Sequence, residues 1–307
     1  MFKEKFKDGI ISAKQFNRED IEYILKKAKE MIKHTNPKLL AGKILATLFF
    51  EPSTRTRFSF ESAMYRLGGN VIGFQSGDVS SIKKGESIAD TIRTVENYCD
   101  CIVMRHPLEG SARLAANFSK IPIINAGSGS GEHPTQGLLD ILTISEECKT
   151  IDGLNIGIMG DLKYGRTVHS LSILLSNFEV NLYFISPPEL MMRNRYKEFL
   201  INERATKFKE ITQYRKVLNI LDVLYITRIQ KERFVDQEEY ERVQGFYVFN
   251  KDDLKETKDS FKIMHPLPRI IEISPEVDDS EKAIYFKQTN YGLQLRKALL
   301  AELLKDQ

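Results

Sequence analysis

Apolar positions along this chain alternate between helical spacing and the unbroken runs of buried strands. Ile21, Ile24, Leu25, Ala28 and Ile32 recur at helical spacing behind Asn17, which has an N-cap side chain, so a first helix is predicted from Asn17 to about Lys33. The apolar run Ile44 to Phe50 predicts a buried strand. Phe60, Ala63, Met64 and Leu67 share one face of the next helix, and Gly68-Gly69 ends it. A strand at Val71–Phe74, a polar loop from Gln75 to Gly85 and a helix from Ser87 to about Tyr98 follow. Next come a strand at Cys101–Met104, a helix at Ala112–Phe118 and a strand at Ile121–Asn125. Gly127 to Gly131 predicts a loop, and His133-Pro134 opens a helix that runs to about Glu147.

Lys149–Gly153 has the make-up of a junction, and a second series starts beyond it. Leu154–Met159 reads as a strand, Gly165–Ser176 as a helix, Val180–Ile185 as a strand stopped by Pro187-Pro188, and Glu189–Asn202 as a helix. Val223–Thr227 and Phe261–Met264 read as strands, Asp236–Arg242 as a solvated helix face or turn, and Leu293–Leu304 as a closing helix. Strands alternating with helices predict parallel sheets. The expected fold class is α/β, with two doubly wound domains, each a central parallel sheet flanked by helices. The first domain is expected over 1–148, with a C-terminal helix at 291–307 packing back on it, and the second over 149–290. The active site is expected in the cleft between them.

Composition narrows the class. Hydrophobic content of 42% and charged content of 28% are ordinary for a globular protein, and the net charge of +3 is the remainder of 45 basic and 42 acidic residues. No basic run with interleaved aromatics supports a nucleic-acid partner. Cys99, Cys101 and Cys148 form neither a disulfide framework nor a metal set with the five histidines, which predicts buried thiols in a reducing compartment and no metal. The charged start, Met1 to Lys7, is no signal peptide, and no apolar run reaches membrane-spanning length, so a cytoplasmic protein is expected.

Open parallel sheets bind ligands outside the carboxyl ends of their strands. The first long strand here runs into Ser53, Thr54, Arg55, Thr56 and Arg57, where the N–H groups and positive dipole of a helix start join three hydroxyls and two guanidiniums. A cap explains one hydroxyl; the rest predict a pocket for a dianion such as phosphate. Other strand ends carry Arg105-His106-Pro107, His133-Pro134-Thr135-Gln136, Gly160-Asp161 with Arg166 just beyond, Arg228-Ile229-Gln230 and His265-Pro266-Leu267-Pro268-Arg269. Taken singly, Arg105 is an ordinary surface arginine and His133 an ordinary helix start; their shared position raises both. His265 reads as a buried, hydrogen-bonded ring and is left out of the site. Gly157 to Gly160 is half a dinucleotide fingerprint, which predicts no nucleotide cofactor. The serines and lysines of Val79–Glu86 fit a mobile exposed loop or an arm toward an anion, and physics alone does not choose.

These stretches, together with Gly160 to Ser170 and Thr227 to Arg233, resemble in order and spacing the aspartate/ornithine carbamoyltransferase family. The resemblance is closest to its aspartate-specific catalytic chains, and Lys-Tyr-Gly-Arg and Tyr-Gly look most like archaeal members. It implies transfer of the carbamoyl group of carbamoyl phosphate to the amine of L-aspartate, early in pyrimidine synthesis, without a cofactor. Ser53, Thr54, Arg55, Thr56 and Arg105 would bind phosphate; Thr56, Arg105 and His133 would donate to the carbonyl oxygen. Gln136 and the backbone of Pro266 and Leu267 would hold the carbamoyl amino group. Arg166, Arg228 and Gln230 would bind the aspartate carboxylates. Ser80 and Lys84 would enter the site from a neighbouring subunit, with Lys84 reaching aspartate, which implies a homotrimer with shared sites. Glu51, Arg166 and Arg233 would hold the domains closed. Zinc-containing regulatory chains are a partner the family allows.

Ser128, Glu132, Ile271 and Tyr291 stand where the family commonly has Asp, Gln, a polar residue and Asn. Glu132 is the departure of most concern, since a carboxylate beside the phosphate pocket would weaken anion binding or raise the pKa of His133. The rival is an ornithine-type enzyme, which typically carries His-Cys-Leu-Pro and a Ser-Met-Gly loop; His265-Pro266-Leu267-Pro268 and Arg228-Ile229-Gln230 favour aspartate. A non-catalytic homologue would be expected to lose some of Ser53, Arg55, Arg105, His133, Arg166 and Arg228, and all are present.

Overall fold

The computed structural model describes residues 2–76, 85–231, 234 and 236–305. The expected Ser80, Lys84 and Arg233 lie outside the described residues. The chain divides into two compact units, 1–142 with 289–307, and 143–288.

The first series runs α1 (Phe2–Lys5), β1 (Gly9–Ile10), α2 (Arg18–Lys33), β2 (Ile44–Phe49), α3 (Thr54–Arg66) and β3 (Asn70–Phe74). It continues through α4 (Ile88–Val95), β4 (Cys101–His106), α5 (Ser111–Phe118), β5 (Ile123–Ser128) and α6 (Pro134–Cys148). Asn17 caps α2 by accepting from the Asp20 N–H at 2.9 Å, while the Asp20 carboxylate accepts from the Asn17 N–H at 2.9 Å. Ile21, Ile24, Leu25 and Ala28 are buried as the spacing requires, but Ile32, in the last turn, is 43% exposed. The strands form one parallel sheet in the order β1-β5-β4-β2-β3. Ala46, Leu48, Ile102, Met104 and Ile123 of that sheet pack against Ile92 of α4 and Ala112 and Ala115 of α5. Burial on both faces explains why β2 and β4 read as unbroken apolar runs.

The second series is β6 (Asn155–Met159), α7 (Arg166–Leu175), β7 (Asn181–Ile185), α8 (Asn194–Asn202), β8 (Phe208–Ile211), β9 (Val223–Ile226), α9 (Gln237–Val243), β10 (Lys262–Met264) and α10 (Tyr285–Leu304). Its parallel sheet has the order β10-β9-β6-β7-β8. Met159, Ile185, Leu224, Ile226 and Ile263 join Leu218, Leu221, Phe249 and Phe261 in its core.

Both sheets reverse direction once. From β2 the chain moves outward to β3 and returns on the other side as β4; from β6 it moves out through β7 and β8 and returns as β9. At such a reversal the loops leaving the two central strands diverge and open a crevice at their carboxyl ends. That rule selects the ends of β2 and β4 in the first unit and of β6 and β9 in the second.

Several expectations are corrected. The Glu189–Asn202 helix is split into a 3-10 turn, Pro188–Leu190, and α8, because the Leu190 carbonyl accepts from the Leu162 N–H at 3.1 Å instead of continuing a helix. The loop expected from Gly127 begins later, since β5 runs to Ser128, which pairs with His106 and bridges Glu132. α10 begins at Tyr285, not Leu293, and accepts Gly292 in its interior: a Cβ there would lie 3.0 Å from Leu139 and 3.1 Å from the Arg296 guanidinium. β1 and β8 were not anticipated. β1 has two residues, and a Cβ on Gly9 (φ 108°) would lie 1.9 Å from the Ile123 carbonyl oxygen. β8 is a short, half-polar edge strand.

Among the described residues no helix is long and apolar enough to cross a membrane.

Candidate active site

The reversal between β2 and β4 carries the first cluster. Ser53 occupies the N-cap position of α3, yet its hydroxyl makes no cap bond. It accepts instead from Arg105 Nη1 at 3.1 Å, from the end of β4. Arg105 Nε also donates to Glu51 Oε1 at 2.7 Å, and both side chains are about four-fifths buried. One guanidinium is thus held from two directions beside the start of a helix. Thr56 is buried in the first turn, while Thr54 and Arg55 are exposed. Arg57 departs from the two-guanidinium expectation: its Nε donates to Glu61 at 2.6 Å and its Nη1 to Gln75, which ties it to the flank of α3. His106 lies tilted against Phe50, ring centres 4.9 Å apart, its Nδ1 accepts from the Leu108 N–H, and burial lowers its pKa despite Glu51 nearby.

At the end of β5, the His133 carbonyl accepts from the N–H groups of Gln136 and Gly137, so its backbone starts α6. The His133 ring is 3% exposed, with Nδ1 3.5 Å from Thr135 Oγ1. Gln136 Nε2 donates to Asp140 Oδ1 at 2.9 Å. Glu132, the departure of most concern, has partners of its own. Its carboxylate accepts from the Ser12 hydroxyl at 2.8 and 3.0 Å and from the Ala13 N–H at 2.6 Å, which commits it to the segment after β1. Burial raises its pKa, against those hydrogen bonds.

In the second unit, Gly160 (φ 122°) ends β6 where a Cβ would lie 2.1 Å from the Thr227 carbonyl oxygen, so only glycine lets the ends of β6 and β9 approach this closely. Asp161, fully buried, accepts from the Tyr164 N–H at 2.8 Å and the Gln230 N–H at 3.5 Å, spanning both loops. Gln230 Nε2 donates back to the Tyr164 carbonyl at 3.4 Å. Arg166 is the first residue of α7 and 7% exposed; Arg228 is half-buried at the end of β9. Arg228 and Gly160 line a cavity of about 50 Å³ with Tyr240, Gln244, Ile271 and Glu272, room for a water or a group of that size.

His265 is the buried, hydrogen-bonded ring expected. Its Nδ1 accepts from the Leu267 N–H at 2.7 Å, which leaves Nε2 to donate to Glu272 at 2.8 Å. Burial lowers its pKa, and Glu272 also accepts from the N–H groups of Ile270 and Ile271. The ring therefore pins the Pro266–Leu267 turn, where Leu267 takes φ 57° before a cis bond to Pro268. Sequence reasoning missed these supports. Asp161 lay inside a motif already singled out and Glu272 three residues beyond another, but only a fold shows which N–H groups they gather.

Asp161 also gives a pH signature. Burial pushes its pKa up to about 6 against the hydrogen bonds from Tyr164 and Gln230. A raised carboxyl favours the protonated folded form. Its contribution is complete below the ordinary carboxylate range and is lost as pH rises through about 6. Between about pH 4 and 6, wild-type protein is expected to lose on the order of 3 kcal/mol relative to the slope of Asp161→Asn. Thermal unfolding across that window with parallel slopes would remove Asp161 as the titrating group.

Among the described residues no cluster of three or more His, Cys, Asp or Glu is placed to hold a metal. Comparison with known proteins matches residues 9–146 to the aspartate/ornithine carbamoyltransferase carbamoyl-P binding domain, and residues 152–303 to the Asp/Orn binding domain. The chain is 56% identical over 295 residues to the aspartate carbamoyltransferase catalytic subunit of Thermococcus kodakarensis, covering 95% of each. Among solved structures, the catalytic subunit of M. jannaschii aspartate transcarbamoylase is 51% identical with a TM-score of 0.87, covering 96% of this chain and 97% of that one. The Trypanosoma cruzi enzyme in complex with carbamoyl aspartate and phosphate is 41% identical with a TM-score of 0.92, covering 97% of each.

Proposed function

The chain belongs to the aspartate/ornithine carbamoyltransferase family, and from that premise we propose how its residues divide the reaction. The activity is that of its aspartate-specific relatives: the carbamoyl group of carbamoyl phosphate passes to the amine of L-aspartate, giving N-carbamoyl-L-aspartate and phosphate.

Ser53, Thr54, Arg55 and Thr56 at the start of α3 take the phosphate, with Arg105 from β4. Attack by the amine on the carbamoyl carbon builds negative charge on its oxygen, and Thr56, Arg105 and His133 donate to it. A fixed donor of this kind contributes about 3 kcal/mol to an acyl transfer. The observation that carries this assignment is the double anchorage of Arg105 by Glu51 and Ser53, because a preset donor need not reorganise as charge develops. Gln136 and the carbonyls of Pro266 and Leu267 accept from the carbamoyl NH2; the Leu267 N–H is already given to His265. The departing phosphate accepts the proton that the amine loses. Holding both anionic reactants in line supplies much of the remaining rate by proximity.

Arg166, Arg228 and Gln230 take the two carboxylates of aspartate. Paired guanidiniums at the β6–β9 reversal suit a dicarboxylate and oppose the cationic side chain of ornithine. Purified protein supplied with carbamoyl phosphate is expected to carbamoylate aspartate and leave ornithine essentially unreacted. Faster carbamoylation of ornithine would overturn the acceptor assignment. A homotrimer in which Ser80 and Lys84 complete a neighbour's site accords with the family resemblance; an active species of single-chain mass would count against it. Domain closure by Glu51, Arg166 and Arg233 belongs to the same proposal.

A further inference from the structure

Behind the first half-site a buried polar track runs inward from Gln136. Gln136 Nε2 donates to Asp140 Oδ1 at 2.9 Å, one turn along α6, and Asp140 is fully buried. The guanidinium of Arg296, from α10, is the cation in whose field Asp140 lies. Arg296 is 4% exposed, its Nη1 donates to Ser59 Oγ of α3 at 2.8 Å, and its guanidinium lies 4.9 Å from the centre of the Phe60 ring. Burial pulls Arg296 down to about 10, against the pull of Asp140, so it remains a cation near neutral pH. The track joins α3, α6 and α10, and its open end is Gln136.

Its chemistry fixes something a glutamine cannot fix for itself. An amide presents two donors on one side and an acceptor on the other, and either can face a given direction. A carboxylate only accepts. Nε2 is the end of the Gln136 amide given to Asp140 Oδ1, so Oε1 is turned the other way. A carbamoyl group differs from an acetyl group by NH2 in place of CH3, so an acceptor is what distinguishes the two.

We propose that Asp140 is a positioning residue that sets the Gln136 amide with its oxygen toward the substrate, and so selects carbamoyl phosphate over acetyl phosphate. The inference rests on Gln136 being a carbamoyl-binding residue. In Asp140→Asn the residue facing Gln136 is itself an amide, able to donate or accept, and the orientation is lost.

The test compares KM for carbamoyl phosphate with the inhibition constant of acetyl phosphate, using inorganic phosphate affinity as the control for an intact phosphate site. Asp140→Asn is expected to reduce the preference for carbamoyl phosphate about tenfold, the effect of one hydrogen bond, with phosphate affinity unchanged. Asp140→Glu keeps an acceptor-only head group and is expected to stay within a few-fold of wild type, so the proposal is testable even if the Asn variant does not fold. Undiminished preference in Asp140→Asn, or equal loss in Asp140→Glu and Gln136→Met, would overturn the proposal. Undiminished preference in Gln136→Met would instead overturn the role given to Gln136.

Discussion

Arg105→Ala is expected to lower kcat/KM for carbamoyl phosphate by about a thousandfold or more, while the protein stays folded. Two losses act together. The transition state loses a charged donor to its developing oxyanion, and such a deletion alone costs about 100- to 1000-fold. Glu51, about four-fifths buried, loses the guanidinium bonded to it at 2.7 Å, and its charge is no longer offset by Arg105. Arg105→Lys is expected to recover little, because one ammonium cannot reproduce the Nε bond to Glu51 and the Nη1 bond to Ser53 at once. Steady-state kinetics at saturating aspartate, with thermal unfolding as the fold control, decides the matter. A loss below about tenfold would mean that Arg105 is not at the reacting centre.

Arg228→Ala is the counterpart in the other unit, and its signature differs. KM for aspartate is expected to rise about a hundredfold, with KM for carbamoyl phosphate within a few-fold of wild type, since a charge-assisted bond to a carboxylate is worth about 3 kcal/mol. The two constants should part company because Arg228 stands at the end of β9 and Arg105 at the end of β4, on separate sheets. Equal damage to both constants would point to a general disturbance of the fold. Unchanged aspartate use would place the carboxylate-binding group elsewhere.

Much of this was legible in the sequence, and the physical reason is burial. Strands such as β2 and β4, covered on both faces, leave continuous apolar runs, and α2 leaves a stripe with a cap residue in front of it. Residues at the carboxyl ends of such strands then stand out as chemistry rather than turn residues. What was not legible depended on partners far along the chain. β1 is invisible because two residues carry no period and their pairing lies with Ile123 and Ile124. The split before α8 turns on a carbonyl claimed by Leu162. Arg57 and Arg55 look alike in the sequence, and only the fold gives one of them to Glu61 and Gln75. Glu132 likewise finds its partners, Ser12 and Ala13, more than a hundred residues away in the sequence.

The first unit, made of 1–142 and 289–307, is discontinuous, and this governs its assembly during synthesis. On a ribosome the chain emerges from its N-terminus, and domains generally fold as they are completed. β1 must wait for β5, more than a hundred residues behind it, before it has anything to pair with. Arg296 and the rest of α10 beyond residue 288 arrive last, after the whole of 143–288 has been made. The part of the protein translated first is therefore finished last, and the contiguous second unit has all its own residues in hand beforehand.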